Sequence, residues 1–336
     1  MQPTCTIILA AGKGTRLKSE KPKVMHEILG LPLIFYPIRL ARKIGSGIIV
    51  VVGHGREIVE PYLSRYQTTR VVQDPPLGTG HAILVAREVL KGMPVKNVVI
   101  LPGDMPLIEY SSLASLIEIF ESSDARIGVL TACLPDPFGY GRIIRDGENR
   151  VKAIVEHNDA TDEQKKIREI NTGVYVIDKE FLLRSVDGLS PDNAKQEFYL
   201  TDIVRMADSA VSFVTPDFNE AHGINSRLQL SQAAAIMQQR INRSFMDEGV
   251  TLIDPESTWI SPLARVGNDV EIWPHVHIMG ESIIGSQVRI MPNVWISGSD
   301  IGTGSIIGHY SLIENSVIAP DTDLPAYSSI RGKTQG

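Results

Sequence analysis

The chain has 336 residues, of which 43% are hydrophobic and 21% are charged. Its formal net charge is −6 at pH 7, which argues against a broad basic surface for nucleic acid or anionic lipid. The length predicts one large domain followed by a smaller one. The N-terminus lacks a basic segment, and no run approaches the roughly 18 apolar residues of a membrane span. We therefore expect a cytoplasmic protein, in which Cys5 and Cys133 stay reduced.

The first two thirds of the chain alternate short β-branched runs with helical segments. The runs predict strands at residues 6–9, 47–52, 70–72 and 97–101. The segments between them predict helices at residues 33–44, 80–90 and 111–121. Continuous apolar strands separated by helices are typical of a mostly parallel sheet covered on both faces. Ligands of such sheets bind at the carboxyl ends of the strands.

The last third has a different organisation. Residues 225–248 lack Gly and Pro and predict one long helix, which Gly249 would end. Beyond it, apolar residues recur every six positions, at 260, 266, 272, 278, 284, 290 and 296 and, after a slip of one residue, at 301, 307 and 313. A hexapeptide repeat of this length predicts a β-helix of three to four coils. We divide the chain into a domain at 1–226, a helical arm at 227–250 and a β-helix at 251–331.

Three basic side chains surround a glycine-rich segment near the N-terminus. The segment reads LAAGKGTR at residues 9–16 and is followed by KPK at 21–23. It is not a dinucleotide fingerprint, because Leu17 stands where the third glycine belongs, and it also lacks the P-loop pattern. The clustering of Lys13, Arg16 and Lys23 in an acidic protein suggests a triphosphate site. Taken alone, the same segment also fits a solvated basic loop.

These two segments, with VMH at 24–26, resemble the signature of the bacterial N-acetylglucosamine-1-phosphate uridylyltransferases. The resemblance continues in chain order through Gln73, LGTGHA at 77–82, LPGDMPL at 101–107, DPFGYGR at 136–142, IVEHNDA at 154–160, EINTGVY at 169–175, EFYLTD at 197–202 and GINSRLQ at 223–229. It implies a Rossmann-like nucleotidyltransferase domain with a mostly parallel sheet. It also implies a C-terminal left-handed parallel β-helix, shorter here than in the complete family enzyme.

The resemblance implies transfer of UMP from UTP to N-acetylglucosamine-1-phosphate, which gives UDP-N-acetylglucosamine and pyrophosphate. Both reactants are anionic, so catalysis of the in-line attack depends on positioning and charge neutralisation. In the family, Arg16 and Lys23 would be the catalytic cations, and Asp104 and Asn225 would bind Mg²⁺. Asp104 follows the predicted strand at 97–101, where a carboxylate suits Mg²⁺, but alone it also fits a turn-capping residue.

The remaining site residues are implied by the same motifs. The nucleotide-binding positions are Leu9, Ala10, Ala11, Gly12, Gln73, Gly78, Thr79 and Gly103. The sugar-binding positions are Gly141, Glu156 and Asn171. An amide such as that of Gln73 can both donate and accept, as the edge of uracil requires. Glu156 also fits a surface carboxylate beside Lys152. We expect structural or surface roles for the histidines at 54, 81 and 157.

Several alternatives remain open at the level of sequence. The chain could use another sugar-1-phosphate or dTTP, or be a non-catalytic nucleotide-sugar sensor, or be a bifunctional enzyme with residual acetyltransferase activity. Because the family's acetyltransferase uses later β-helix coils, we predict no acetyl transfer and a structural His309. The expected partners are UTP, N-acetylglucosamine-1-phosphate and further copies of the chain in a homotrimer formed through the β-helix, with a monomer also open. Neither nucleic acid nor a membrane is expected.

Overall fold

The structure is a computed structural model that describes residues 2–45, 47–332 and 334–335. The chain separates into two compact units. The first unit comprises Met1–His26 and Pro32–Gln229, and the second comprises Glu27–Leu31 and Leu230–Gly336. None of the helices in the described part of the chain is both long and apolar enough to cross a bilayer.

The first unit is built on a nine-stranded sheet. Its strands are β1 Thr4–Ala10, β2 Gly47–Val52, β3 Thr69–Val72, β4 Asn97–Pro102, β5 Ile127–Cys133, β6 Arg142–Arg145, β7 Val151–Val155, β8 Glu169–Asp178 and β9 Ala210–Val214. The main order is β9-β5-β8-β4-β1-β2-β3, and β6 joins β8 to β7. Within the main order, β8 runs antiparallel to β4 and β5, and the other neighbours pair in parallel. The predicted mostly parallel sheet is therefore confirmed.

The helices are α1 Phe35–Lys43, α2 Arg56–Leu63, α3 Thr79–Lys91, α4 Tyr110–Glu121, α5 Asp162–Lys165, α6 Lys179–Ser185, α7 Ile203–Met206 and α8 Arg227–Asp247. Alternate residues of the central strands face opposite sides of the sheet, so that Ile7 and Ile8 belong to different apolar clusters. One cluster includes side chains of α3, and the other includes those of α1, α2 and α4. The sheet is covered on both faces, as the continuous apolar strands predict.

The central strands end side by side. β1 and β4 pair in parallel, with Leu9 opposite Pro102, and β1 pairs with β2 so that Ala10 lies opposite Val52. The loops that follow these strands therefore start from the same edge of the sheet. Gly103 donates its backbone N–H to the Leu9 carbonyl at 2.9 Å, and a side chain at Gly103 would approach that oxygen at the same distance.

The second unit contains three parallel sheets of five short strands. The first comprises Thr251–Leu252, Glu271–Ile272, Arg289–Ile290, Ile306–Ile307 and Asp323–Leu324. The second comprises Trp259–Ile260, His277–Met279, Trp295–Ser297, Leu312–Glu314 and Ser329–Arg331. The third comprises Arg265–Val266, Ile283–Ile284, Asp300–Ile301, Val317–Ile318 and Thr334–Gln335. This arrangement confirms the predicted hexapeptide, left-handed parallel β-helix. A further pair of two-residue strands, Glu27–Ile28 and Leu31–Pro32, stands apart from these sheets.

Five strands on each face correct the predicted three to four coils. Ile260, Ile278 and Ile296 stack at intervals of 18 residues, whereas Ile313 and Ile330 follow at intervals of 17. The predicted repeat contains one slip, whereas the structure has a second one, between 313 and 318. The prediction also missed the first coil, because Leu252 and Ile260 lie eight residues apart rather than six.

Candidate active site

A cleft of about 470 Å³ opens in the first unit at the carboxyl ends of β1 and β4. The predicted site residues that line it are Leu9, Ala11, Gly12, Gln73, Gly78, Thr79, Asp104, Glu156 and Asn171. Ala10 and Gly103 are the chain neighbours of lining residues. Arg16, Lys23, Gly141 and Asn225 lie outside the lining. Lys23 contacts Asp104 and Gly141 contacts Asn171 within it, and Asn225 contacts Lys23. Residues brought from seven separate segments of the chain therefore meet around one cavity.

One end of the cleft carries a cation between two oxygen ligands. The Lys23 ammonium forms an ion pair with the Asp104 carboxylate and donates to Asn225 Oδ1 at 2.8 Å. The side chains of Lys23 and Asp104 are only 13% and 20% exposed, so solvent screens this pair weakly. Three residues separated by up to 202 positions thus form one charged cluster.

Backbone contacts hold this cluster together. Ile224 donates its N–H to the Asp104 carbonyl at 3.0 Å, which fixes the segment carrying Asn225 beside the loop after β4. Gly14 has φ +61°, and a Cβ there would lie 2.6 Å from the Lys23 Cβ. Only glycine combines that backbone conformation with so close an approach. The glycine of the N-terminal loop is therefore needed to place the lysine.

The same cluster is suited to a divalent cation. The Asp104 carboxylate and the Asn225 amide oxygen already converge on one positive centre, the Lys23 ammonium. Oxygen ligands of these two kinds are those that Mg²⁺ takes from proteins, and it usually keeps several waters. The described residues contain no group of three or more His, Cys, Asp or Glu side chains around a common metal position. The donor set fits Mg²⁺ that completes its shell with water and phosphate oxygens.

Gln73 lies at the side of the cleft with its amide oriented by the protein. Its Nε2 donates to the Gly78 carbonyl at 2.8 Å and lies 3.2 Å from His81 Nδ1. The side chain is only 4% exposed. Because these contacts use the nitrogen end, Gln73 Oε1 is the end left for a ligand donor. His81 contacts Gln73, and the structural or surface role that the sequence predicts for it stays a prediction.

The turn at Gly78 and Thr79 begins helix α3 at the cleft. Gly78 has φ +104°, and a Cβ there would meet the Phe198 carbonyl oxygen at 2.7 Å. The Thr79 hydroxyl accepts from the Leu200 N–H at 3.1 Å, which ties the turn to the segment after α6. The first turn of this 13-residue helix is held there as well, because Gly80 donates its N–H to the Phe198 carbonyl at 2.7 Å.

A carboxylate and an amide also line the cleft. Glu156 accepts from the Thr201 hydroxyl at 3.4 Å, and burial raises the pKa of its carboxyl despite the nearby charge of Lys195. The Asn171 N–H donates to the Gly141 carbonyl at 2.9 Å. A Cβ on Gly141 would lie 3.4 Å from Glu156 Oε1. The three predicted sugar-binding residues are therefore direct neighbours.

The side chain of Arg16 is exposed, whereas those of Lys23 and Asp104 are mostly buried. It lies close enough to Tyr140 to lower the pKa of that phenol, while burial and the charge of Asp104 raise it more. Arg16 and Asp104 thus act on the same neighbour, and Arg16 borders the charged end of the cleft without lining it.

Comparison with known proteins identifies the family of the chain. A family model described as a MobA-like NTP transferase domain matches residues 6–147, and one described as bacterial transferase hexapeptide (six repeats) matches residues 264–298. A protein of Geotalea uraniireducens named bifunctional protein GlmU is 41% identical over 100% of this chain and 74% of its own length. The chain belongs to the GlmU family. It is an enzyme of the nucleotidyltransferase class, a sugar-1-phosphate uridylyltransferase.

Other members of the GlmU family show the same similarity. The protein of that name from Syntrophotalea carbinolica is 44% identical and covers 92% of this chain and 68% of its own length. The one from Bacillus velezensis is 38% identical and covers 98% of this chain and 73% of its own length. The chain therefore spans about three quarters of the length of these relatives.

Solved structures share the fold at lower sequence identity. Apo UDP-glucose pyrophosphorylase superposes with a TM-score of 0.58 and 20% identity, over 72% of this chain and 100% of the other. The same enzyme complexed with UDP-glucose gives a TM-score of 0.57, over 71% of this chain. At this identity the likeness concerns the fold alone.

The cleft also contains residues to which the sequence analysis gave no role. Tyr175, Glu197 and Thr201 line it, although all three lie inside motifs that carry the GlmU resemblance. Outside the cleft, the buried Glu220 carboxylate accepts from the Glu109 N–H at 2.9 Å and from the Ser112 hydroxyl at 2.7 Å. Glu220 thereby ties the loop after Asp104 to the segment before Asn225. The sequence shows that residue 220 is a glutamate but not that its carboxylate is buried, so this role could not be predicted.

Proposed function

We propose that the chain transfers the uridylyl group of UTP to N-acetylglucosamine-1-phosphate, assisted by Mg²⁺. An oxygen of the sugar phosphate attacks the α-phosphorus, the bond to the β-phosphate breaks, and pyrophosphate leaves with the electron pair. The products are UDP-N-acetylglucosamine and pyrophosphate. The observation that carries this proposal is a single cleft lined by Asp104, Glu156 and Asn171, in which Asp104 pairs with Lys23 and Lys23 donates to Asn225.

The charged end supports a phosphate role. Asp104 and Asn225 would hold Mg²⁺, which when bound neutralises phosphate charge and orients the phosphate oxygens. Lys23 is then free to donate to the anionic oxygens around the α-phosphorus, and Arg16 adds a second cation from the cleft border. Because both substrates are anions, fixed positive charge in a weakly screened site lowers the barrier to their approach.

The uncharged surfaces support a uridine nucleotide. Gln73 Oε1 can accept the ring N–H of uracil, because its Nε2 is already engaged by Gly78. The nucleoside can lie against the backbone from Leu9 to Gly12, because Leu9 has the one bulky side chain in this segment. Adenine presents no ring N–H on the corresponding edge, which favours UTP over ATP.

The side chains of Glu156 and Asn171 support an amino sugar as the second substrate. The Glu156 carboxylate can accept from sugar hydroxyls, and the Asn171 amide can donate to an acyl carbonyl. The Gly141 position leaves room for the ring because any side chain there would approach Glu156.

A pyrophosphate-release assay tests the proposal. UTP, dTTP and ATP are each paired with N-acetylglucosamine-1-phosphate, glucose-1-phosphate and galactose-1-phosphate, with Mg²⁺ or with EDTA. We expect kcat/KM for UTP with N-acetylglucosamine-1-phosphate to exceed every other pair at least about 10-fold, since each unmatched polar group costs about 1 kcal/mol or more. A preference for dTTP or another sugar would favour the alternative substrates, and binding without turnover would favour a sensor.

We also propose that residues 1–226 form the catalytic part, 227–250 a helical arm and 251–331 an assembly part. Through the assembly part the chain would form a homotrimer. Support comes from outward apolar side chains on the β-helix, such as Ile283, Trp295 and Val317, which are 36%, 38% and 44% exposed. Stacked repeats bury such surfaces by association. Light scattering of the full chain distinguishes a trimer from a monomer.

A further inference from the structure

Tyr175 is a cleft residue that neither the motifs nor the charge pattern assign to the reaction. Its side chain is 2% exposed, and its hydroxyl accepts from Asn171 Nδ2 at 2.7 Å. The other end of the same amide, Asn171 Oδ1, accepts from the Gly173 N–H at 3.0 Å. Both ends of the Asn171 amide are therefore held by neighbours on its own strand.

An irregularity in β8 makes this contact. Asn171 pairs with Thr131 and Tyr175 pairs with Val129, so four steps on β8 oppose two steps on β5. In a regular strand, residues four apart are separated by roughly 13 Å, which is too far for these side chains to form a hydrogen bond. Gly173 lies inside the irregularity with φ +84°, a conformation that glycine adopts at little cost. The bulge thus places Tyr175 beneath Asn171.

The hydroxyl stays protonated at neutral pH. Burial raises the pKa of Tyr175, and the negative charge of Glu156 raises it further. The phenol is therefore a neutral group that accepts one bond and keeps a proton to donate. Within residues 2–45 and 47–332, the structure gives Tyr175 no acceptor for that proton.

We propose that Tyr175 is a positioning residue for sugar selection, which fixes the Asn171 amide with its nitrogen end available as a donor in the cleft. The proposal rests on the proposed function. The Gly173 N–H can only donate, so it sets which end of the amide is the oxygen, and the Tyr175 hydroxyl then holds the nitrogen end in place. The fixed Nδ2–H then suits the carbonyl of an acylamino group, whereas a freely flipping amide would accommodate a sugar hydroxyl in its place equally well.

The test replaces Tyr175→Phe, which removes the hydroxyl and keeps the ring. We expect KM for N-acetylglucosamine-1-phosphate to rise about 3- to 10-fold, as loss of one neutral hydrogen bond implies. The preference for that sugar over glucose-1-phosphate should fall by a similar factor, while KM for UTP stays within about twofold. Tyr66→Phe is the matched control, because it removes a tyrosine hydroxyl that contacts Tyr62 at 3.0 Å, and all these values should stay at wild type.

A double-mutant cycle separates positioning from general loss of structure. If Tyr175 acts through Asn171, adding Tyr175→Phe to Asn171→Ala should leave the sugar preference of the single Asn171→Ala variant unchanged. Should Tyr175→Phe fail to fold, Gly173→Ala gives the same readout, because it strains the bulge and keeps both side chains.

The outcomes distinguish the two claims. A Tyr175→Phe enzyme with wild-type sugar preference would overturn the positioning role and leave the proposed function standing. A wild-type enzyme that does not use N-acetylglucosamine-1-phosphate would overturn both. Equal rises in KM for UTP and for the sugar phosphate would show a structural effect and contradict the inference.

Discussion

At the scale of single residues, Glu156 is a carboxylate of the cleft that receives little hydrogen bonding. Its acceptor atoms receive one long hydrogen bond, from Thr201 at 3.4 Å, and burial raises its pKa. By contrast, Asp104 has a direct cation partner in Lys23. These two carboxylates of the cleft therefore have different electrostatic environments, because Asp104 pairs with a cation and Glu156 is desolvated.

The raised pKa of Glu156 predicts a pH dependence of sugar binding. The charged form accepts sugar hydroxyls, and it is lost as the pH falls through a pKa above the usual 4.5. We expect KM for the sugar phosphate to rise on acidification at a higher pH than an ordinary carboxylate would cause. Glu156→Gln should raise KM roughly 10- to 100-fold, since it removes a charged acceptor, and should remove this titration.

The measurement is the ratio of KM values for the two enzymes across pH 4.5 to 8, so that ionisation of the substrate phosphate cancels. A ratio that does not change with pH would mean that Glu156 does not titrate in this range or does not contact the sugar.

Several site residues could be predicted from sequence and others could not. Asp104 follows a recognisable strand, so its place at the sheet edge came from the residues themselves. Asn225 lies 121 residues further along the chain, and only the family resemblance joined it to Asp104. Tyr175 was missed because its contact depends on a bulge, and strand periodicity alone places residues 171 and 175 too far apart to interact.

At the scale of elements, the close stacking of β-helix coils depends on small residues at one position. Gly302 comes directly after the buried Ile301. A Cβ on Gly302 would lie 2.3 Å from the Pro320 nitrogen of the next coil. No side-chain rotation relieves contact with backbone, so a larger residue must separate the coils. Such overpacking costs about 1 to 3 kcal/mol.

Gly302→Ala should therefore destabilise the β-helix. All three tryptophans, Trp259, Trp273 and Trp295, belong to the second unit, so their fluorescence reports its unfolding separately. We expect the urea midpoint of this fluorescence signal to fall in Gly302→Ala. The control is Ser297→Ala, because Ser297 follows Ile296 on another face of the β-helix as Gly302 follows Ile301, and its midpoint should stay near that of the wild type. Equal midpoints for Gly302→Ala and the wild type would contradict the packing described for Gly302.

Elements were predictable where one period dominates. The four predicted strands and the long helix α8 match the structure within two residues at each end. α2 was missed because it contains Pro61 and spans only eight residues. The antiparallel direction of β8 was also missed, because strand direction depends on connections and not on composition. The second slip of the hexapeptide repeat was missed because it changes the register by a single residue.

At the scale of the whole molecule, the two units carry different kinds of residue. Every residue lining the cleft belongs to the first unit, and the second unit is a stack of apolar repeats with its own core. Both units lie in one chain of the GlmU family. The boundary between them is where the alternation of helices and strands is replaced by a hydrophobic repeat of six residues. The fold class could be predicted from these hydrophobic periods, whereas the choice of substrates depends on individual side chains in the cleft.

We propose that the cleft of the first unit performs uridylyl transfer and that this reaction depends on the Asp104 carboxylate. This proposal is tested most directly by chromatographic detection of UDP-N-acetylglucosamine formed from UTP and N-acetylglucosamine-1-phosphate by the wild type and by Asp104→Asn. This change keeps the size of the side chain and removes the charge that pairs with Lys23. Asp124→Asn, at an exposed surface position, is the matched control.

We predict that the wild type and Asp124→Asn form the product at equal rates, and that Asp104→Asn loses at least about 100-fold in rate while circular dichroism shows an unchanged fold. Formation of UDP-N-acetylglucosamine by Asp104→Asn at the wild-type rate would contradict the account.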